Sequence, residues 1–283
     1  MQTVTTLPEL RQAVDELRKS GSIALVPTMG ALHEGHLTLV REAAKVADHV
    51  AVSIFVNPRQ FGEGEDLDAY PRQLAQDSAK LVAEGVALLW APGAEAMYPQ
   101  GYATNISVSG VSAGLCGADR PGHFDGVATV VCKLFNQVRP DMALFGEKDW
   151  QQLAVIRRMA RDLDLTQPHV DAIRGVPIVR DPDGLAMSSR NAYLSAEDRA
   201  AAAALPRAVD AAIAAIREGQ DAATALAALK DALLSAGFSS VDYAELRDAD
   251  SIAPLDSDNG NARLFVAARI GGTRLIDNKA VAA

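Results

Sequence analysis

Cysteine is scarce in this chain of 283 residues: two occur, Cys116 and Cys132, and they are not clustered. A disulfide framework or a thiolate zinc site needs several closely spaced thiols, so neither is expected, and a reduced cytoplasmic chain is. Long apolar runs are missing too. None approaches the ~20 residues that span a bilayer, so no membrane association is expected. Met1–Thr6 lacks a charged region followed by an apolar stretch, which argues against a secretory signal. Positive charge is in short supply: 27 Lys and Arg stand against 36 Asp and Glu, a net charge of −9. A nucleic-acid surface would show a basic stripe, so no nucleic-acid partner is expected. A local basic pocket for a nucleotide remains compatible with this balance. What is present is ordinary globular material, 49% hydrophobic and 22% charged, long enough for one large and one smaller domain.

The chain is organised around Val26-Pro27-Thr28-Met29-Gly30-Ala31-Leu32-His33-Glu34-Gly35-His36. The spacing predicts a buried strand (22–26), a glycine turn, and a helix over 35–47 with Leu37, Val40, Ala44 and Ala47 on one face. Such a junction gathers backbone N–H groups and the positive end of a helix dipole, which suits phosphate. His33 and His36, three residues apart, project to one side. Each offers a donor to a phosphate oxygen, and a protonated imidazole would neutralise charge on departing pyrophosphate. The plain alternative is a surface turn with solvated histidines. A zincin site is not supported, because that pattern needs histidines at i and i+4.

The rest of the first half alternates strands and helices. Helix is expected over 7–19 and 74–84, the latter with Leu74, Ala75, Ser78, Leu81 and Val82 inward, and over 127–138 and 150–163. Near-continuous apolar runs at 50–56, 86–90 and 141–145 suit parallel strands buried on both faces. This is an α/β, Rossmann-like pattern with right-handed βαβ crossovers. Ligands then bind beyond the carboxyl ends of the strands, which puts Asn57 and Gln60 on the same rim as His33 and His36. Gly146-Glu147-Lys148-Asp149 forms a second strand–turn–helix junction, with Lys148 offering a point charge to phosphate and Asp149 a helix cap. Residues 93–125 show little periodicity and read as a lid or binding loop. Arg120 and His123 at its end are cationic donors before a helix. Strand is expected at 169–173 and 176–179. Met187-Ser188-Ser189-Arg190-Asn191 sets two hydroxyls beside an arginine, a pattern that wraps β- and γ-phosphates; the rival is a capping loop. Asp77 reads as a solvated charge.

From Ser195, an N-cap by its spacing to Glu197 and Asp198, the chain becomes Ala-rich, with helices to about 218, bent near Pro206, and over 221–236. Short strands at 240–246, 263–268 and 273–276 follow. The expected layout is 1–177 as a Rossmann-like domain and 178–283 as a smaller α+β lid domain carrying the Met187–Arg190 segment at the seam.

The motif Pro27–His36 resembles the HxGH signature of the nucleotidyltransferase superfamily, and in this longer form the pantothenate synthetase (pantoate–β-alanine ligase) family. Arg120-Pro121-Gly122-His123-Phe124, Gly146-Glu147-Lys148-Asp149-Trp150-Gln151-Gln152 and Met187–Asn191 resemble further stretches of that family, so the likeness spans nearly the whole chain. It implies ATP-dependent joining of pantoate to β-alanine through a pantoyl adenylate, with Mg²⁺, in a cytoplasmic homodimer, and it makes 1–177 the domain that binds ATP and the acid substrate. It implies ATP contacts at Met29, Gly30, Ala31, Leu32, His33, Glu34, Gly35, His36, Gly146, Glu147, Lys148, Asp149, Val179, Met187, Ser188, Ser189 and Arg190. His33, His36, Lys148 and Arg190 would be catalytic. Gln60, Gln152, Asn57, Arg120 and His123 would line the substrate site, and Asp77 is a candidate for magnesium. The family commonly has Met where Arg59 stands. Two other readings stay open: a different small-molecule nucleotidyltransferase, and a nucleotide-binding protein without turnover.

Overall fold

A computed structural model describes residues 1–62 and 64–282, and the chain divides into two compact units, Met1–Pro177 and Ile178–Ala283. In the first, the order is β1 (Gln2–Val4), α1 (Leu7–Leu17), β2 (Ile23–Thr28), α2 (Glu34–Ala44), β3 (His49–Ile54), α3 (Leu74–Ala83), β4 (Leu88–Trp90), α4 (Ala94–Met97), α5 (Leu115–Asp119), α6 (His123–Val138), β5 (Met142–Gly146), α7 (Trp150–Asp162) and β6 (Ile173–Val176). Among the described residues the strands form a six-stranded, all-parallel sheet in the order β1-β4-β3-β2-β5-β6. The apolar runs are there because parallel strands are covered on both faces: Ile23, Ala24, Leu25, Val26, Val52, Leu88, Leu89 and Trp90 are fully buried. Strand order reverses between β2 and β5, so the turns after these two strands lie side by side. That is the switch point at which open α/β sheets bind ligands.

Several local expectations are corrected. Helix α2 buries Leu39, Val40 and Ala43, while Ala44 is exposed. On α3 the buried stripe is Asp77 and Leu81; Leu74 and Val82 face outward. Helix α6 begins at His123, after Gly122 at φ 80°. Residues 169–173 are largely a 3₁₀ turn, the strand β6 occupies Ile173–Val176 and stops where strand is expected over 176–179, and 179–187 form a tight hairpin, with Met187 N–H bonded to the Val179 carbonyl (2.9 Å) and a bridge between Arg180 and Ala186.

The 93–125 stretch is packed. Met97, Val111 and Leu115 are buried, and the Gln151 side chain bonds the Cys116 N–H and the carbonyls of Val111 and Gly114 at 3.1 Å each. A buried amide with its hydrogen bonds made fixes the irregular backbone that lacks ladder partners of its own.

The second unit holds α8 (Ala196–Ala202), α9 (Ala204–Arg217), α10 (Ala222–Ser235) and an antiparallel sheet β7-β8-β9 (Ser240–Asp248, Ala262–Ile270, Thr273–Ala280). Ser195 caps α8 by accepting from Asp198 N–H (3.0 Å). The expected bend becomes a break at Ala203, because the Pro206 ring conflicts with the carbonyl four residues earlier and has no N–H to give it. Leu205, Val209, Leu229, Leu233, Leu264 and Val266 make this unit's own core.

Candidate active site

The turn after β2 is built by a helix cap made of imidazoles. His33 is the N-cap of α2, and its Nδ1 accepts from Gly35 N–H (3.2 Å); His36, at the third helical position, accepts at Nδ1 from His33 N–H (3.3 Å). This is the reciprocal geometry of a capping box, with imidazole in place of hydroxyl and carboxylate. The three-residue spacing is therefore the spacing the cap requires. It also sets the tautomers. A ring nitrogen that accepts a backbone hydrogen bond carries no proton, so in the neutral ring the proton sits on Nε2. Both Nε2–H groups then point away from the backbone, and the rings lie against each other with centroids 4.1 Å apart.

Burial lowers the pKa of His36 to about 3, helped by the nearby positive charges of His33, Lys148 and Lys80. His36 is thus a neutral donor at physiological pH. Of the two roles open to this ring, neutral donor and imidazolium, the geometry of the free protein favours the first: an extra proton would displace the amide bond at Nδ1 and stand among cations.

The expectation of free backbone amides is corrected as well. Gly30 N–H donates to Thr28 Oγ1 (3.2 Å), Ala31 and Leu32 N–H donate to the Asp77 carboxylate (2.8 and 2.9 Å), and His36 N–H donates to the His33 carbonyl (2.9 Å). Together with the amides of His33 and Gly35, six of the turn's donors are engaged internally.

Asp77 is the residue whose role the sequence hid. It is fully buried, with both carboxylate oxygens on the turn, and Gln73 also donates to it (3.3 Å). Its neighbour one turn on, Lys80, reaches the Leu32 carbonyl (2.5 Å). Helix α3 therefore holds both backbone polar groups of Leu32, its N–H and its carbonyl. Gly30 at φ 84° and Ala31 at φ 52° take left-handed conformations here. For Ala31 this costs about 1 kcal/mol, and the Asp77 bonds offset it. A signal was available: Asp77 lies four residues before Leu81 and shares its inward face. As a magnesium ligand Asp77 is poorly placed, since its oxygens already accept from amides. Among the described residues no group of three His, Cys, Asp or Glu side chains is arranged for a metal.

Lys148 occupies the tip after β5, half-buried, with its Nζ 3.7 Å from Asp149. Asp149 precedes α7 without a side-chain capping bond. Across the rim, the 3₁₀ turn Pro58–Gln60 follows β3. Asn57 is 1% exposed and bonds Gln60 Oε1 (3.0 Å) and the Gly126 carbonyl (3.1 Å), while Gln60 Nε2 reaches Met29 Sδ (3.1 Å). Gln151 is engaged with the 111–116 backbone, whereas its neighbour Gln152 is half-buried and has no side-chain hydrogen bond to another described residue. Arg120 and His123 meet here too. Arg120 pairs with Glu65 (2.5 and 2.7 Å) and touches His123 Nε2 (3.1 Å), and His123 Nδ1 contacts the Gln60 carbonyl (2.8 Å). Burial, with Arg120 beside it, lowers the His123 pKa to about 4. These two residues thus brace the Gln60 backbone and the Glu65 loop.

Helix α6 packs flush on this turn. A Cβ at Gly126 would stand 2.7 Å from Gln60 Cα and closer still to the Arg59 carbonyl. Gly126→Ala must push the Gln60 turn aside, since backbone cannot yield as a flexible side chain can. We expect at least a tenfold fall in kcat/KM for the acid substrate, from misplacement of about 1 Å, measured by steady-state kinetics.

In the second unit, Ser188 Oγ accepts from Arg190 N–H (3.3 Å) and opens a short 3₁₀ turn, Ser189–Tyr193. The hairpin leading into it is tied down within the same unit. Arg180 makes a two-pronged pair with the buried Asp277 (2.7 and 2.9 Å), and Arg199 bridges Asp181 and Asp183 (2.8 and 2.6 Å). Met187, Ser188, Ser189 and Arg190 are all half-buried.

Comparison with known proteins matches this architecture along its length. The sequence model of the pantoate-beta-alanine ligase family matches residues 2–280. The chain is 70% identical over 283 residues to a pantothenate synthetase of Novosphingobium aromaticivorans, covering 99% of both chains, and 62% identical over 279 residues to one of Sphingopyxis alaskensis, covering 98% of this chain and 99% of that one. Among solved structures, a pantothenate synthetase from Thermus thermophilus superposes with a TM-score of 0.93 at 48% identity, covering all of both chains. A pantoate-beta-alanine ligase from Francisella tularensis, complexed with beta-gamma ATP and beta-alanine, superposes with a TM-score of 0.83 at 34% identity, covering 99% and 98%. With the imidazole cap at the β2/β5 switch point and a full-length match in sequence and fold, the chain belongs to the pantoate–β-alanine ligase (pantothenate synthetase) family.

Proposed function

We propose that this chain condenses pantoate with β-alanine, using ATP and releasing AMP and pyrophosphate. The observation that carries this reading is the pair of capped imidazoles, with Lys148 close by, at the switch point of a sheet matched throughout to that family. The pantoate carboxylate attacks the α-phosphorus of ATP, an O–P bond forms, and the bond to pyrophosphate breaks. The carboxylate is already ionised at neutral pH, so no general base is needed. The work is positioning and charge stabilisation. The Nε2–H groups of His33 and His36 donate to phosphate oxygens, and Lys148 supplies the positive charge that neutral His36 does not. Ser188, Ser189 and Arg190 take the β- and γ-phosphates, with Gly146 to Asp149, Met187 and Val179 completing the nucleotide site. Mg²⁺ enters with ATP as its phosphate complex. Among the described residues the carboxylates add no cage for it. Gln60 and Gln152 orient pantoate. The β-alanine amine then attacks the acyl carbon, and the acyl–phosphate bond breaks to give the amide and AMP. The second unit acts as the lid that keeps water from the acyl adenylate. A cytoplasmic homodimer belongs to the same reading.

The test is exchange of labelled pyrophosphate into ATP with β-alanine omitted. Exchange that depends on pantoate, followed by AMP release on adding β-alanine, is the expected result. Bound ATP with no exchange under any condition would return the chain to a nucleotide-binding role, and exchange supported by a different acid or phosphate would make it another nucleotidyltransferase.

A further inference from the structure

Gln60 has a defined amide orientation, and two residues outside the nucleotide loops set it. An amide's oxygen and nitrogen are told apart by their partners. At Asn57 two of these are backbone groups with one role each: Arg59 N–H can only donate, and it meets Oδ1 (3.3 Å); the Gly126 carbonyl can only accept, and it meets Nδ2 (3.1 Å). Asn57 is therefore fixed, and Tyr98 secures it by donating from its hydroxyl to Oδ1 (2.8 Å). Burial raises the Tyr98 pKa to about 12, so the phenol keeps its proton. Its ring is held by Arg59, with Cζ 5.5 Å from the centroid, and by Tyr102 at 5.1 Å between centroids. The remaining Asn57 Nδ2 proton goes to Gln60 Oε1 (3.0 Å), which turns Gln60 Nε2 toward Met29. Sulfur is a weak acceptor, so those N–H donors are held in reserve for a stronger one.

We propose that Tyr98 and Asn57 are positioning residues that lock Gln60 as a donor-only contact, so that position 60 reads a hydrogen-bond acceptor on the acid substrate, a carboxylate or hydroxyl oxygen. The inference rests on the assignment of pantoate as that substrate and deepens it. Both ends of the Asn57 amide are engaged within the protein, and it acts through Gln60. Tyr98 carries no sequence signal for this role, since it lies in the aperiodic stretch after α4.

The experiment compares Tyr98→Phe, Gln60→Ala and the double variant in pantoate-dependent ATP–pyrophosphate exchange. Tyr98→Phe keeps the ring and its packing. It is expected to raise the pantoate KM five- to twentyfold, with the ATP KM and kcat within twofold of wild type. In the Gln60→Ala background the same change is expected to do nothing further, because the group it orients is gone. Gln60→Glu, which swaps donor for acceptor, is expected to lose more pantoate affinity than Gln60→Ala. A Tyr98→Phe enzyme with unchanged pantoate KM, or one whose defect persists in full without the Gln60 amide, would overturn the proposal. Absence of pantoate-dependent exchange in the wild type would instead overturn the substrate assignment.

Discussion

Asp77→Asn is expected to reduce pantoate-dependent pyrophosphate exchange about a hundredfold, and raising the Mg²⁺ concentration is expected not to restore it. The carboxylate accepts from Ala31 and Leu32 N–H at once. An asparagine amide keeps one acceptor and turns an NH₂ group toward the other donor. One buried N–H then loses its partner, at about 1–3 kcal/mol, and the left-handed Gly30–Ala31 turn loses half of what holds it. The imidazole cap follows directly on that turn, and a shift of about 1 Å there costs about 10² in rate. Asp77→Ala leaves both amides unpaired and is expected to lower the melting temperature as well. Exchange kinetics with a magnesium titration decide the matter. Recovery at high Mg²⁺ would make Asp77 a metal ligand, while full activity in Asp77→Asn would show that the turn holds its shape unaided.

His36→Ala is expected to lower kcat for exchange by about 10²–10³, the usual cost of removing one preorganised donor from a developing charge. His36→Gln, which can place a neutral N–H near the lost Nε2–H, is expected to recover part of that loss. The pH dependence separates a neutral donor from a cation. With a pKa of about 3 in the free protein, His36 contributes no inflection to the kcat/KM profile between about pH 5 and 8, whereas an imidazolium donor would give a fall in activity with rising pH near 6.5. Stability has the opposite dependence. The folded-state pKa values of His36 and His123, about 3 and about 4, lie below the ordinary 6.5. Between these values the unfolded chain binds more protons than the folded one, so stability rises with pH there. It is complete above about pH 6.5 and lost as pH falls toward 4 and then 3. Chemical denaturation at pH 7, 5.5 and 4.5 measures it, and replacing His123 by a neutral residue is expected to flatten the slope between about pH 6.5 and 4, leaving the part below pH 4 to His36.

Local pattern makes much of this molecule legible. Parallel strands buried on both faces leave continuous apolar runs, so the pattern places 23–28, 49–54 and 142–146 to within two or three residues. The Ser195 cap follows from hydroxyl chemistry at a helix start. His33 and His36 are three residues apart because N-cap and third helical position are three residues apart, a constraint written wholly within one segment. The pantoate–β-alanine specificity, by contrast, comes from family resemblance rather than from residue physics.

What only the tertiary structure decides are the pairings between distant segments. Asp77 reads locally as a solvated charge, because nothing within α3 says that two amides some forty-five residues earlier need an acceptor. Arg120 and His123 read as cationic donors at a helix start until the fold brings Glu65 and the Gln60 carbonyl to them. The turn after β2 reads as a cradle of free amides, because a strand–helix junction always offers them locally; three-dimensional packing, through Asp77 and the imidazole cap, has already claimed those of Ala31, Leu32, His33 and Gly35. Sequence determines which groups a segment must satisfy, since backbone donors and helix ends follow from local conformation alone. Which partners satisfy them, and therefore which donors remain for a ligand, depends on chain crossings that no local period records.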